Sequence, residues 1–397
     1  MLVRSGIALV RIATRLAATI PTLLFPIAHA HFGDGPHPVA PAEILTWNDE
    51  QRSVGFRSYA DIFPTRTIRA GEITSPLVED HQDLSGVSYS WEGKTFTLDD
   101  YLQANRVAGI IVVQGGRVRF ERYRLDSGPS TVWVSYSIAR SVVSMLFGAA
   151  IADGYIEGVQ DPITRYLPRL AGGAYEGVSV EQLLQMSSGV TWQEDYVDPQ
   201  ADVSRLPSRI LPLIDYMQAL PRAAKPGTKF NYSTGETHLA GAVLRAAIGN
   251  NLADYLTHKI WQPFGMEADG NWMLGTTGGA EHAGCCISAT LRDYARLGLF
   301  AMGGGVAADG SRILPPDWMA ASTSPSPNFP EYGYFWWLRE GGAFAAVGIY
   351  GQLIWVDPNN EIVIAMQSAW PSAGSRALAG QRWAVVDAIA TAVNAEN

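Results

Sequence analysis

The stretch Trp133-Val-Ser-Tyr-Ser-Ile-Ala-Arg-Ser-Val-Val-Ser-Met-Leu-Phe-Gly-Ala-Ala-Ile151 constrains this chain more than any other. After Ser144 it has almost no polar face, and a helix that is apolar all round is a buried one. Yet it opens with Ser135, Ser137, Arg140, Ser141 and Ser144. A hydroxyl at the N-terminal end of a buried helix sits at the positive end of the helix dipole, beside free backbone N–H groups. That place suits a nucleophile whose attack generates an oxyanion. It also suits a simple cap made by Ser135 or Ser137.

The 397 residues are 47% hydrophobic and 17% charged, enough apolar material for one large domain or two lobes. Residues 1–30 read as a secretory signal. Arg4, Arg11 and Arg15 form a basic region, Leu16 to Ile27 a short apolar run, and Ala28-His29-Ala30 a cleavage site. With Pro21 and Pro26 inside it, the run is too short for a comfortable membrane span, although an uncleaved anchor is the alternative. The expected address is the periplasm or the medium. Cleavage would leave 26 basic residues of 29 against 38 acidic ones, a net charge of −12. So acidic a chain is a poor nucleic-acid binder.

Cys285 and Cys286 are the only cysteines, and they are adjacent. Disulfide geometry favours Cα atoms farther apart than one peptide bond sets them, so the two are expected to stay unbridged. The histidines form no metal-ligand spacing, and no metal or other cofactor is expected. There is no G-x-S-x-G nucleophile elbow and no phosphate-cradling glycine loop.

Residues 31–76 read as an N-terminal extension draped over the body. A short helix runs from Leu98 to Asn105. Ala108–Gln114 and Arg117–Tyr123 flank Gly115-Gly116 as a β-hairpin. In its second strand Val118 and Phe120 are expected on one face and Arg117, Arg119 and Glu121 on the other. One sheet face would then be covered and the other partly wet. Residues 179–186 and 234–249 are helical by pattern, 265–286 irregular, and Thr290 caps a helix through Leu299. Strands return at Tyr334–Leu338, Ala345–Ile349, Leu353–Val356 and Ile362–Ala365, and an amphipathic helix spans Trp383–Val393. The expected fold is α+β: an antiparallel sheet flanked by helices (77–160 and 290–397) with a mostly helical lobe (161–289) inserted, and Ser137 at the seam, where clefts tend to lie.

Three motifs could converge on that seam: Ser137-Ile-Ala-Arg140, then Pro226-Gly-Thr-Lys-Phe-Asn-Tyr232-Ser-Thr-Gly-Glu236, then Val347-Gly-Ile-Tyr-Gly-Gln352. Taken singly, Tyr232 could be a core aromatic, and Gly348 and Gly351 could mark a strand bulge. In this order, over residues 85–395, the chain resembles the penicillin-recognising serine hydrolases: class C β-lactamases, D-alanyl-D-alanine peptidases, family VIII carboxylesterases and the 6-aminohexanoate-dimer (nylon-oligomer) hydrolases. Glu194-Asp-Tyr-Val-Asp-Pro199, Gly348-Ile-Tyr-Gly-Gln352 and Trp355-Val-Asp-Pro358 look most like the last group. The resemblance implies a β-lactamase/DD-peptidase-like fold. It implies Ser137 as nucleophile, Tyr232 as proton shuttle, and the N–H groups of Ser137 and Ile349 as oxyanion donors. It also implies Tyr196, Gly348, Tyr350 and Gln352 as substrate contacts.

The chain departs from that family pattern at two positions. Arg140 stands where the family's S-x-x-K motif has lysine, and arginine stays protonated, so Arg140 cannot be the base. Its charge could lower the Tyr232 pKa far enough for a phenolate base, or the site could be impaired. Ala346 stands where K-T-G enzymes carry a lysine that helps bind the β-lactam carboxylate. The expected activity is hydrolysis of small esters or linear amides through an acyl-serine. The alternatives are a family member that binds a peptide-like ligand without turnover, and a D-alanyl-D-alanine peptidase or β-lactamase.

Overall fold

A computed structural model describes residues 41–395. The leader at 1–30 and the first ten residues of the extension lie outside the described residues. The main sheet has seven strands in the order Trp337–Leu338, Phe344–Val347, Leu353–Asp357, Ile362–Ser368, Val107–Gln114, Arg117–Tyr123, Val78–Glu79. All neighbours are antiparallel except the last pair. Early and late strands meet where Val107–Gln114 pairs with Ile362–Ser368, as the α+β reading expects. The hairpin turns on Gly115 at φ +55° and Gly116 at φ +76°, a backbone that side chains disfavour and that matches the strand twist.

Two expectations about this sheet fail, and both have a physical cause. Val118 and Phe120 do not share a face. Val113 pairs with Val118 and Val112 with Phe120, so Arg119 is an extra residue in a bulge that reverses the alternation. Val118 therefore packs with the Ile138–Ala152 helix and Phe120 on the opposite side. Nor is one face wet. Ile111, Val113, Ile354, Val356 and Val363 pack against the helices Ile138–Ala152 and Leu291–Met302. Ile110, Val112, Leu353, Trp355 and Ile364 pack against Leu98–Ala104 and Arg376–Ala395.

A second sheet, which the sequence does not announce, orders Thr65–Ile68, Gly270–Met273, Ile287–Ala289 and Trp133–Val134. It knits residue 65 onward into the body, and places a strand inside the stretch read as irregular. Its last strand feeds the Ser137 helix: Trp133 and Val134 pair with Ala289 and Ser288. Within this region Cys285 and Cys286 form a disulfide, against expectation, with Cα atoms 3.7 Å apart. Cys286 has φ +75°, which breaks the strand alternation that would hold the two side chains on opposite faces. The helix Ile210–Ala219 was also missed, having Pro212 in its first turn. Tyr334–Leu338 is strand only at Trp337–Leu338.

The Ile138–Ala152 helix is buried from Ile138 through Ala150. Replacing Phe147, fully buried in the large core, with alanine should cost about 3–5 kcal/mol. Urea unfolding of Phe147→Ala measures this, and a loss below about 1 kcal/mol would contradict a central position for the helix.

Candidate active site

Ser137 is the residue at which the helix begins. It is 7% exposed, and its side chain makes no capping hydrogen bond, so it is a cap by position only. Of the neighbouring hydroxyls, Ser144 Oγ is buried without a partner further into the helix, and the others are occupied. Ser135 Oγ donates to the Tyr136 carbonyl and accepts from the Ile287 N–H, both at 3.0 Å. Ser141 Oγ donates to the Phe335 carbonyl at 2.6 Å. Ser187 donates to the Gln182 carbonyl at 3.2 Å and Ser188 to Glu236. Tyr136 enters the helix at φ +46°, a sparsely populated backbone for an aromatic residue.

Ser137 opens onto a cavity of about 220 Å³ that is also lined by Glu194, Tyr196, Tyr232, Val347, Gly348 and Ile349. The three motifs therefore do converge. Gly348 follows the strand Phe344–Val347, and a Cβ there would lie 2.4 Å from the Ser135 carbonyl oxygen. Only glycine lets the strand end run against the chain entering the helix. The Gly348 N–H is spent on the Gln352 carbonyl at 3.0 Å. Among the described residues the N–H groups of Ser137 and Ile349 are donated to no protein acceptor.

Tyr232 precedes Ser233, the N-cap of the Thr234–Ile248 helix. The Asn231 N–H donates to the Met186 carbonyl at 2.8 Å and holds this turn in place. The Arg140 guanidinium lies over the Tyr232 ring, 4.4 Å from its centroid. Arg140 is 2% exposed. It donates to the Ser233 carbonyl at 3.1 Å, Thr237 Oγ1 at 2.8 Å, Thr234 Oγ1 at 2.6 Å and Glu194 Oε1 at 3.4 Å. None of these bonds reaches Ser137 or the Tyr232 hydroxyl.

Glu194 was not singled out from the sequence, although it begins one of the quoted motifs. Its carboxylate accepts from Tyr196 OH at 2.7 Å, the Thr234 N–H at 2.9 Å, Trp192 Nε1 and the Thr234 hydroxyl, and it pairs with Arg140. Burial works to lower the Arg140 pKa, but Tyr232, Glu194 and Tyr196 outweigh it and the net shift is upward. The expected lowering of the Tyr232 pKa does not result. Burial raises it, Arg140 pulls it down, Glu194 pushes it up and the Ser137 hydroxyl eases it down, with a net rise. Tyr196 is raised well above its ordinary value, by burial first and then by Glu194.

Two expected substrate contacts lie elsewhere. Tyr350 is buried at φ +60° in an aromatic cluster with Phe56 and Tyr136. Gln352 staples two strands: its Nε2 donates to the Ser368 carbonyl at 2.7 Å and its Oε1 accepts from the Ser368 N–H at 3.1 Å. Neither lines the cavity. Trp337, Trp370 and Arg382, none of them expected, do. Ala346 is buried in the core, one residue short of the lining. Among the described residues no group of three or more His, Cys, Asp or Glu side chains could hold a metal, and no helix is long and apolar enough to cross a membrane.

This fold and this junction of helix, loop and strand define a β-lactamase-like hydrolase, and the chain belongs to the Beta-lactamase family, whose profile matches residues 97–388. The 6-aminohexanoate-dimer hydrolase of Paenarthrobacter ureafaciens is 28% identical over 305 residues, which span 70% of this chain and 76% of that protein. A Bacillus anthracis protein provisionally assigned as a 6-aminohexanoate-dimer hydrolase superimposes with a TM-score of 0.79 at 20% identity, covering 89% of this chain and 98% of that one. A family VIII carboxylesterase superimposes with a TM-score of 0.57 at 17% identity, covering 73% and 95%. The solved structures support the fold, and the family match with the Paenarthrobacter relative supports a relation to hydrolases.

Glu194→Ala should strand Arg140 as a buried, uncompensated charge and cost about 3–5 kcal/mol. Chemical denaturation measures this, and a loss under about 1 kcal/mol would show that the pair is not coupled as described.

Proposed function

We propose that the protein is a serine hydrolase of small esters and, more slowly, linear amides, working through an acyl-Ser137 intermediate. The observation that carries this reading is the Ser137 hydroxyl, which caps no helix N–H but interacts with Tyr232, in a cavity it shares with Tyr232 and, among the described residues, two N–H groups donated to no protein acceptor. In the proposed sequence the Tyr232 phenolate takes the Ser137 proton as Oγ attacks the substrate carbonyl carbon. The N–H groups of Ser137 and Ile349 hold the resulting oxyanion, an arrangement worth several kcal/mol in other hydrolases. Tyr232 returns the proton to the leaving oxygen or nitrogen as the bond breaks. Water then releases the acyl group by the same steps in reverse order.

Arg140 supports this scheme through charge alone. It neither accepts a proton nor touches the nucleophile, and Glu194 offsets much of its field. A base with a raised pKa is scarce as phenolate near neutrality, so esters, which need less help in expelling the leaving group, should outrun amides and β-lactams. The same facts favour a second reading, a ligand-binding member with little turnover. The proposed address of either form, carried by the basic and apolar pattern of residues 1–30, is outside the cytoplasm.

The test is kcat/KM against pH for p-nitrophenyl butyrate. The parent rate should climb with pH and keep climbing past about pH 9, since the active phenolate forms only above a raised tyrosine pKa. Tyr232→Phe should lose about 100-fold or more. Arg140→Met should push the rise to still higher pH, because the one strong downward influence on Tyr232 is gone. Arg140→Lys should hold or raise the rate, because lysine adds an amine that can titrate. Full activity in Tyr232→Phe would refute the scheme. A parent inactive at every pH would favour the binding reading.

A further inference from the structure

The two N–H groups that hold the oxyanion in the proposed mechanism come from separate segments, and each lies next to an aromatic residue in left-handed backbone. Tyr136, at φ +46°, precedes Ser137, and Tyr350, at φ +60°, follows Ile349. Both conformations are costly for a bulky residue and persist only where the surroundings over-determine them. Here the surroundings are aromatic. Phe56 lies edge-on to Tyr136 with ring centroids 5.2 Å apart, and it is 5.2 Å from the Tyr350 ring. Tyr136 and Tyr350 are 5.5 Å from each other, so the three rings pack pairwise. Trp133, in the strand that feeds Ser137, packs edge-on against Phe56 at 5.8 Å. Phe56 is fully buried, and Tyr136 and Tyr350 are nearly so.

Phe56 belongs to the helix Asp49–Arg57, ahead of the residues 97–388 that carry the family match. That helix is tied to the body at both ends. Arg106 Nη2 donates to the Asp49 carbonyl at 2.9 Å and to Ser53 Oγ at 2.6 Å, and Arg57 Nη1 donates to the Leu125 carbonyl at 2.6 Å. Gly55 leaves room for the Trp47 ring, which packs on Phe56 at 6.0 Å; a Cβ at residue 55 would lie 2.3 Å from Trp47 Cζ3. The Tyr136 hydroxyl is buried without a hydrogen-bond partner, so ring packing holds this side chain. A peptide N–H lies in the plane of the preceding carbonyl, so the Tyr136 backbone sets the direction of the Ser137 N–H. Tyr350 anchors the other donor's segment, its own N–H donating to the Ala373 carbonyl at 3.0 Å. Gly348 against Ser135 is one point at which the two segments meet. The Phe56 cluster supplies the second.

We infer that Phe56 is a positioning residue for the oxyanion site. Through Tyr136 and Tyr350 it sets the spacing of the Ser137 and Ile349 N–H groups, so a helix of the N-terminal segment governs acyl transfer without touching substrate. Phe56 does not line the Ser137 cavity. The inference rests on the acyl-Ser137 reading, and the experiment below separates the two. Donors that meet charge only as it develops act on the transition state and not on substrate binding. Loosening the cluster therefore lowers kcat and leaves KM in place.

The test measures kcat and KM for p-nitrophenyl butyrate, together with the inhibition constant of phenylboronic acid. Its boron accepts the serine oxygen and carries an oxygen into the oxyanion position. Phe56→Leu removes the ring, and Phe56→Met keeps apolar volume without rigidity, so one variant remains if the other does not fold. Each folded variant should lose about ten-fold or more in kcat, with KM within about two-fold of the parent. Each should also bind the boronic acid more weakly, by a similar factor. Ile389→Ala is the control, a fully buried position on the face of the main sheet away from the Ser137 helix. It should lower stability and leave all three constants within about two-fold. Full kcat in both Phe56 variants, a loss confined to KM, or an equal loss of kcat in Ile389→Ala would overturn the inference and leave the hydrolase reading standing. A parent that neither turns over the ester nor binds the boronic acid overturns the hydrolase reading, and this inference with it.

Discussion

A guanidinium inside a protein needs partners, and at Arg140, where both terminal nitrogens are hydrogen-bonded and Nε is not, that need organises the whole site. Its partners come from two distant segments: the loop at Glu194, and residues 232–237, which carry the Tyr232 ring and the first turn of the Thr234–Ile248 helix. Satisfying it draws the loop and both helices to one point. Glu194 then fixes Tyr196 and Trp192 through the same carboxylate. Two charges taken out of water gain little net stability from each other, but removing either strands its partner, so the pair acts as a strong geometric constraint.

That constraint also shapes the chemistry proposed for the site. A lysine here could lose its proton and serve as a base; a guanidinium with several acceptors cannot. In the proposal, basicity passes to Tyr232, whose burial works against ionisation while Arg140 works for it. What is left to drive acyl transfer is the rigid backbone. The Gly348 contact with Ser135 sets the Ile349 N–H near the start of the Ser137 helix, and donors already in place do not reorganise as charge develops. In the proposed mechanism, oxyanion stabilisation therefore outweighs base strength.

How much the sequence revealed depended on the range of the interaction. Gly115-Gly116 between two apolar runs is a local turn signal, and the hairpin forms there. The apolar run after Ser144 is likewise local, and so is the buried helix it makes. The bulge at Arg119 depends on the register of the partner strand, which no periodicity within residues 117–123 reveals. Tyr350 and Gln352 sit in the right motif, but whether a side chain faces the cavity or the core is decided by a left-handed turn at Tyr350. Ser137, Tyr232 and Tyr196 were legible because motif order brings them together. Glu194 was not, since its meaning is electrostatic: one carboxylate gathers Tyr196, Trp192, Thr234 and Arg140. Cys285 and Cys286 misled because the rule on spacing assumes extended backbone, and Cys286 is left-handed.

The central claim is that Ser137 is a nucleophile and not a helix cap. Treating the full chain with a fluorophosphonate, and following it by intact-mass and peptide mass spectrometry, tests this directly. The account predicts a single phosphonyl adduct on the peptide carrying Ser137, and none in Ser137→Ala. An adduct on Ser187 or Ser188, or equal labelling of Ser137→Ala, would contradict it.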